Sequence, residues 1–380
     1  MPKQKILILM EWYLPGRNSG GPVKSIESLV YYLKDDFDIY ILTTDTDLGL
    51  DTPYSSLETS KWLKRDDGSF VYYLARQKLS FYAVKKAIES VTFDYIHLNS
   101  LYSFWFSLFP LYLKRRKTIK GQVVLSVRGM LSEGALNIKP LKKRLFILLS
   151  RFFSFHAGVR WHATNDKEAR EIRKYFENAR DIRIASNLVM PIAMNKRIVN
   201  KQSGQLKLFF LSRISRVKNL HVALQSLLLC KQGEIVFDIF GPIEDKVYWD
   251  ECQQIISEMP GNIRVQNKGV VSREHLTELI GSYHFLFLPT ANENFGHSIV
   301  ESLQCGCPVI ISNKTPWKNL ESHGCGWDVE PNSQILFNLL QKAIAMNEDN
   351  YWEMQKKSIS FFHSCFDFQK MKEKLLYLFQ

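Results

Sequence analysis

Short apolar runs alternate with longer amphipathic stretches along nearly the whole chain. Runs at 5–10, 37–43, 70–74, 94–100, 121–127, 158–164 and 181–185, then at 206–211, 235–240, 263–266, 284–288 and 308–312, have the length and residue content of buried strands. Between them apolar residues recur at helical spacing. Ile26, Leu29, Val30 and Leu33 share one face of a helix that Pro22 can start. Further helices are predicted at 81–90, 166–176, 219–229, 245–258, 273–280, 298–305, 333–346 and 351–380, with a short one at 317–320. Asp166 and Asn219 are placed to cap two of them; residues 51–69 are turn-rich, and a last strand follows Gly324 to Gly326. Strand and helix in repetition predict an α/β protein built on parallel sheets.

A chain of 380 residues exceeds what one core usually supports, so two Rossmann-like α/β domains facing across a deep cleft are expected. The polar tract 195–205, with Ser203-Gly204, supplies a linker, giving domains 1–200 and 201–355; a terminal helix, 356–380, is expected to cross back to the first domain. All six cysteines lie in the second half without metal-ligand spacing, and this reads as reduced, cytoplasmic usage. The opening apolar run is too short for a secretory signal, and no run of 18 apolar residues occurs, so no membrane span is expected.

Charge changes the picture of the first half. Residues 1–200 hold 32 Lys/Arg against 19 Asp/Glu, whereas residues 201–380 hold 18 against 19. From Lys114 to Arg160 there are 12 basic residues and one acid, Glu133. A field confined to one domain argues for an anionic partner of that domain. Within it, Phe104 to Leu113 is strongly aromatic, and Lys139 to Arg144 opens a helix whose Leu141, Leu145, Leu148, Leu149 and Phe152 form one stripe. Such a stripe is either a core face or an amphipathic surface lying on anionic lipid, with the region 104–160 as the contact. Nucleic acid is not the expected partner. No recognition helix or zinc module is recognisable, and the aromatics cluster with aliphatics instead of interleaving with the bases.

Candidate chemistry sits where strands run into loops. The run 284–288 leads through Pro289 to Phe295 and Gly296 into the helix at 298–305, the geometry in which helix N–H groups meet phosphate or sugar oxygens. Glu293 and Glu301 bracket that turn. Arg213 and Lys218 follow the strand 206–211 at the same end of the same sheet, a guanidinium fork and a mobile ammonium suited to a diphosphate. Glu301 suits ribose hydroxyls better than phosphate. In the first domain Gly20 and Gly21 precede the helix from Pro22, as a ligand contact or as a merely flexible loop. His97 ends a strand, as a cleft-facing group or as a hydrogen-bonded terminus.

These stretches together resemble one family. Gly20-Gly21 before a Leu-rich helix, Leu211 to Leu220 with Arg213 and Lys218, Phe240-Gly241-Pro242, and Pro289 through Glu301 continued by Gly306-Cys307-Pro308 resemble the retaining GT-B glycosyltransferases of family 4, also called glycosyl transferases group 1. The resemblance implies a GT-B fold with an acceptor-binding first domain and a second domain that holds a nucleotide-diphosphate sugar. UDP is the preferred nucleotide on family frequency. It implies Arg213 and Lys218 on the diphosphate, Glu301 on the ribose, Glu293 with Asn294, Phe295 and Gly296 on the donor sugar, and Gly20 and Gly21 beside the diphosphate. No cofactor or divalent metal is expected. The acceptor would be a lipid-linked or oligosaccharide precursor of a bacterial cell-envelope polysaccharide, reached by peripheral binding at the inner face of the plasma membrane.

The chain departs from the family pattern twice. Where many relatives carry a histidine at the end of a first-domain strand, Ser126-Val127-Arg128-Gly129 stands here; before the linker, Ser186-Asn187-Leu188-Val189-Met190 replaces a glycine- and aspartate-bearing sequence. Arginine is no base at neutral pH but holds anions, so Arg128 and Asn187, with His97, are candidates for acceptor or donor contact. Two other readings share features of this sequence: a GT-B-fold sugar-nucleotide epimerase, and a non-catalytic protein binding polyanions or membrane.

Overall fold

The computed structural model describes residues 2–55, 57–137, 140–191 and 199–380. Lys139 of the basic helix start and residues 195–198 of the expected linker lie outside them. The chain separates into two compact units, Met1–Met190 with Phe368–Gln380, and Pro191–Asp367. The division thus falls at 190/191 and 367/368, where the sequence reading puts 200/201 and 355/356. Position 356 lies inside the continuous helix Glu348–Cys365, and the chain rejoins the first unit only after it.

The first unit is built on eight strands: β1 Gln4–Leu9, β2 Phe37–Thr44, β3 Trp62–Lys64, β4 Phe70–Leu74, β5 Tyr95–Leu98, β6 Gln122–Ser126, β7 Arg160–Ala163 and β8 Ile182–Ile184. Their order is β3-β4-β2-β1-β5-β6-β7-β8, parallel except where β3 runs antiparallel on the edge of β4. Strand period decides the core. Along β1, Leu7 and Leu9 enter one apolar cluster while Ile6 and Ile8 enter another on the opposite face, so an unbroken apolar run is what a doubly covered sheet demands. The helix Phe368–Tyr377 belongs to the second of these layers. Phe379 beyond it is fully buried against Phe37 and Tyr95, and the Leu378 carbonyl accepts from Arg160 Nη1 at 2.8 Å.

The second unit has six strands: β9 Gln205–Leu211, β10 Glu234–Phe240, β11 Ile263–Gly269, β12 Phe285–Leu288, β13 Val309–Ser312 and β14 Gly326–Val329. All are parallel, in the order β11-β10-β9-β12-β13-β14. Counted within the unit this is 3-2-1-4-5-6, the order of dinucleotide-binding folds. Every residue of β12 and β13 is buried.

Several local expectations are corrected. β3 lies inside the stretch that reads as turns, because three residues on an edge carry too short a pattern. The cap of the helix Asp166–Tyr175 is Asn165, whose Oδ1 accepts from Glu168 N–H at 2.9 Å, not Asp166. Asn219 precedes the helix Leu220–Leu228 but has left-handed backbone and makes no cap bond. The helix expected from 273 is only Leu276–Ile280, residues 317–320 are irregular instead of helical, and 351–380 is two helices broken at Phe366.

The stripe of the helix Pro140–Phe152 is not a core face. Ile147 and Ser150 face inward, while Leu141, Leu145, Leu148, Leu149 and Phe152 are 82%, 55%, 62%, 46% and 79% exposed. The apolar face points away from the core. Among the described residues, no helix is long and apolar enough to cross a membrane.

Candidate active site

In the second unit β10 and β12 lie on opposite sides of β9, so the connections leave β9 in opposite directions. Loops diverge at such a switch point and leave a crevice beyond the carboxyl ends of the two central strands. The loop after β9 carries Arg213 and Lys218; the loop after β12 carries Glu293 to Gly296. Sequence position alone therefore delivers both sets of candidates to one place.

Hydrogen bonds stitch these two loops together. Val217 O accepts from Ala291 N–H at 2.8 Å and from Thr290 Oγ1 at 2.9 Å, and Asn219 Nδ2 donates to Pro289 O at 3.0 Å. The left-handed Asn219 thus spends its side chain on the neighbouring loop and not on its own helix. Lys218 Nζ lies 2.7 Å from Glu293 Oε2, a largely buried ion pair. Glu293 Oε1 accepts from Asn294 N–H at 3.0 Å and Phe295 N–H at 3.4 Å. Burial alone would raise the Glu293 carboxyl, but Lys218 beside it and the two N–H groups outweigh this and hold it below the ordinary range. Its contribution to stability is present above 4.5 and is lost as pH falls through the lower native value.

Gly296 ends the loop with φ 82° and opens the helix His297–Gln304 without a side-chain cap. A Cβ there would stand 2.8 Å from Ile299 Cδ1 and 3.2 Å from Glu293 Cγ, so both the conformation and the space require glycine. Glu301, one turn into this helix, is 6% exposed. Trp317, absent from the sequence-based candidates, supports the turn by donating from Nε1 to Phe295 O at 2.6 Å. Ser312 also holds it, donating to Thr290 O.

Arg213 is more loosely held. Its Nη1 meets Glu244 Oε1 at 2.5 Å with both side chains more than a third exposed, and such a pair contributes only about 0–1 kcal/mol. Glu244 is therefore held only weakly. The backbone around it is fixed, because Ile214 N–H donates to Pro242 O at 2.9 Å and Ile214 O accepts from both Glu244 and Asp245.

The first unit has its own switch point between β1 and β5. Gly20 caps the helix Gly21–Leu33 with φ 65° and ψ −115°, a combination open essentially to glycine alone. The loop before it is tied down by Asp47, whose carboxylate accepts from Arg17 N–H at 2.9 Å and Asn18 N–H at 3.1 Å. Asp47 is a loop-shaping residue that sequence reasoning misses. Its only signal is a polar strand end 30 residues away.

Of the two readings of His97, the structure shows the hydrogen-bonded one. The ring is fully buried, and a chain runs from His97 Nε2 to Ser126 Oγ at 2.7 Å, to His162 Nδ1 at 2.6 Å, and from His162 Nε2 to Ala185 O at 2.8 Å. Because a carbonyl only accepts, His162 carries its proton on Nε2, Ser126 donates to Nδ1, and His97 donates to Ser126. Burial pushes His162 down to about 3 and His97 well below its ordinary value, with Arg128 adding to both shifts, so the relay is neutral.

Arg128 and Asn187 are brought together: Arg128 Nη1 donates to Asn187 Oδ1 at 2.5 Å and Nη2 to Asn99 Oδ1 at 2.9 Å. Asn99 is not among the sequence-based candidates, although it directly follows the apolar run of β5.

Comparison with known proteins agrees with this topology. Residues 192–359 match the family model described as Glycosyl transferases group 1. Over the whole chain the structure is similar to sucrose-phosphate synthase from Thermosynechococcus elongatus, with TM-score 0.71 and 15% identity, covering 99% of this chain and 98% of that one. It is similar to Anabaena HepE in complex with UDP and glucose, with TM-score 0.73 and 17% identity, covering 98% of each chain. The apo lipopolysaccharide outer core galactosyltransferase WaaB matches with TM-score 0.60 and 13% identity over 99% of each chain. No curated protein matches in sequence. Two parallel-sheet α/β domains, the second matched by a glycosyltransferase family model, give this chain the GT-B fold.

Proposed function

We propose that the chain is a retaining glycosyltransferase that moves a hexose-type sugar from a nucleotide-diphosphate donor, by preference a UDP-sugar, to a lipid-linked or polysaccharide-precursor acceptor. The observation that carries this reading is the stitched pair of loops at the β9/β12 switch point, with Lys218 on Glu293 and an exchangeable Arg213. The UDP in the similar HepE structure supports a uridine nucleotide. As the donor's glycosidic bond breaks, negative charge grows on the leaving diphosphate. Cations already positioned there favour the transition state over the ground state. Glu293 orients the donor sugar through the same carboxylate that steadies Lys218, Glu301 receives ribose hydroxyls, and Gly296 lets backbone approach the ligand. In the first unit Gly20 and Gly21 open the backbone before the helix Gly21–Leu33 to a ligand, and the unit receives the acceptor.

The exposed stripe of the helix Pro140–Phe152 supports membrane docking. Lys142 and Arg144 flank it, and Arg115, whose guanidinium reaches Phe153 O, brings exposed Arg116 and Lys117 alongside. Apolar side chains enter the acyl boundary while each base near anionic lipid adds about 1 kcal/mol. The occupant we assign to this face is an anionic bilayer, at the inner leaflet of the plasma membrane.

The test is a screen of UDP- and GDP-sugars for nucleotide release, with and without a bacterial membrane extract, and NMR of the product's anomeric centre. Acceptor-dependent UDP release with retained configuration is expected. Release of nucleotide and free sugar without any acceptor dependence would favour a hydrolysing epimerase, and an inverted product would overturn the retaining assignment.

A further inference from the structure

Among the described residues, none neutralises the Arg128 cation directly. It sits in the turn after β6, at the carboxyl end of the first unit's sheet, with left-handed backbone at φ 50° followed by Gly129 at φ 74°. Its side chain is partly buried, and burial lowers its pKa to about 10, a sign that the site is costly for a charge. Yet both of its protein partners are amide oxygens, of Asn99 and Asn187, each more than nine-tenths buried. Among the described residues no carboxylate pairs with it. Glu168, the acid whose charge it feels, is occupied by the N–H groups of Gly129 and Thr164 and by Thr164 Oγ1. His97 and His162 beside it are neutral and cannot offset the charge.

The hydrogen-bond inventory points the same way. A guanidinium has five N–H donors in a planar fork, and the two bonds to Asn99 and Asn187 leave three; Nε is buried with no partner among the described residues, as is Asn99 Nδ2. A partly buried cation and spare donors held by two amides form half of a bidentate anion site. Lysine would not satisfy this geometry, because it offers a point charge without a fork.

We infer that Arg128, clamped by Asn99 and Asn187, binds an anionic group, carboxylate or phosphate, on the acceptor. This rests on the transferase reading above and narrows its acceptor to a negatively charged sugar or sugar phosphate. Arg128 acts in recognition and takes no proton. Asn99 and Asn187 are positioning residues that fix the plane of the fork.

Calorimetric or NMR titration of the full chain with methyl glucuronide, glucose 6-phosphate and methyl glucoside, each with and without saturating UDP, tests this. The anionic sugars are expected to bind roughly 10-fold or more tighter than methyl glucoside, the scale of one charge-assisted pair. Which anion binds better separates a sugar carboxylate from a phosphate. Arg128→Gln should bring the ratio to about one, and Arg128→Lys should restore it only in part. Asn187→Asp, which gives the arginine an internal carboxylate and needs no loss of packing, should abolish the preference with an unchanged melting temperature. Equal binding of charged and neutral sugars by the wild type would overturn the proposal. So would an Arg128→Gln variant that loses UDP affinity in step with anion affinity, since the arginine would then serve the donor. Absence of UDP binding with the anion preference intact would remove the transferase reading and leave the anion site standing.

Discussion

The two sheets place charge at their carboxyl ends in opposite ways. In the second unit each candidate cation already has a carboxylate: Lys218 is buried against Glu293, and Arg213 lies exposed on Glu244. In the first unit Arg128 has, among the described residues, only amides, beside a neutral histidine relay. A paired site can exchange its internal anion for a ligand's and stay charge-balanced in both states, which suits a substrate that enters and leaves as a diphosphate. An unpaired one is balanced only when occupied, which suits selection of an anionic partner. The comparison predicts that damage at the second unit will show in the chemical step, and damage at the first in substrate choice.

The largest expected effect breaks the comparison most directly. Lys218→Ala and Arg213→Ala should each lower kcat by about 100- to 1,000-fold, the cost of removing one preorganised group from developing charge. Arg128→Gln should raise the acceptor KM and spare kcat. Steady-state nucleotide release under saturating acceptor separates these outcomes, and a matching kcat loss in all three would erase the distinction between the units.

Next in size is the glycine that shapes the second unit's turn. Gly296→Ala forces a side chain onto φ 82° and into Ile299, and should cost on the order of 1–3 kcal/mol while weakening donor binding. At Gly134, in the first unit's helix Glu133–Leu136, an added Cβ would meet nothing within 4 Å. Alanine there should be neutral or stabilising by about 0.5–1 kcal/mol. Thermal melts of both variants give the sign; a destabilised Gly134→Ala would show that the site is not open.

The exposed stripe belongs to the first unit alone. Replacing Leu145 and Leu148 by Ser should reduce pelleting with anionic liposomes by about 10-fold or more, because each leucine loses its transfer into lipid, and should leave the melting temperature nearly unchanged. A fall in stability would mean that the stripe packs on protein, and a change of oligomeric state without loss of pelleting would assign the face to a second copy.

Acid provides the smallest contrast. In the first unit His156 is pushed down to about 4 and His162 to about 3 by burial, and His97 lies well below its usual value; in the second, His284 is near 4 and His221 is lowered. Unfolded histidines take up protons near 6.5 while these resist, so their contribution is complete above 6.5 and is lost as pH falls below it. Hydrogen exchange at pH 7 and pH 5 should show the first unit losing protection sooner. Equal loss in both units would sink this.

How much of this is legible in the sequence follows from how far apart the cooperating residues are. Strand 284–288 runs directly into Glu293 and Gly296, and strand 206–211 into Arg213 and Lys218, so local pattern plus the sheet rule brings the second unit's candidates together. The first unit's arginine depends on Asn99, 29 positions back, and Asn187, 59 positions on, and no local period signals such a meeting. The leucine stripe is visible as a period, but a 3.6-residue repeat is the same whether its face meets core or water. Asn165 displaces Asp166 as a cap because neighbouring polar residues compete equally in sequence, and only the backbone decides which one stands at the helix start.

The most direct test is calorimetric titration of UDP into the wild-type chain and the Arg213→Ala, Lys218→Ala double variant. One site is expected in the wild type and at least a 10-fold loss of affinity in the variant, with the melting curve showing a folded protein. Equal affinity in both proteins would contradict it, because the diphosphate would then be held somewhere other than the switch point of the second sheet.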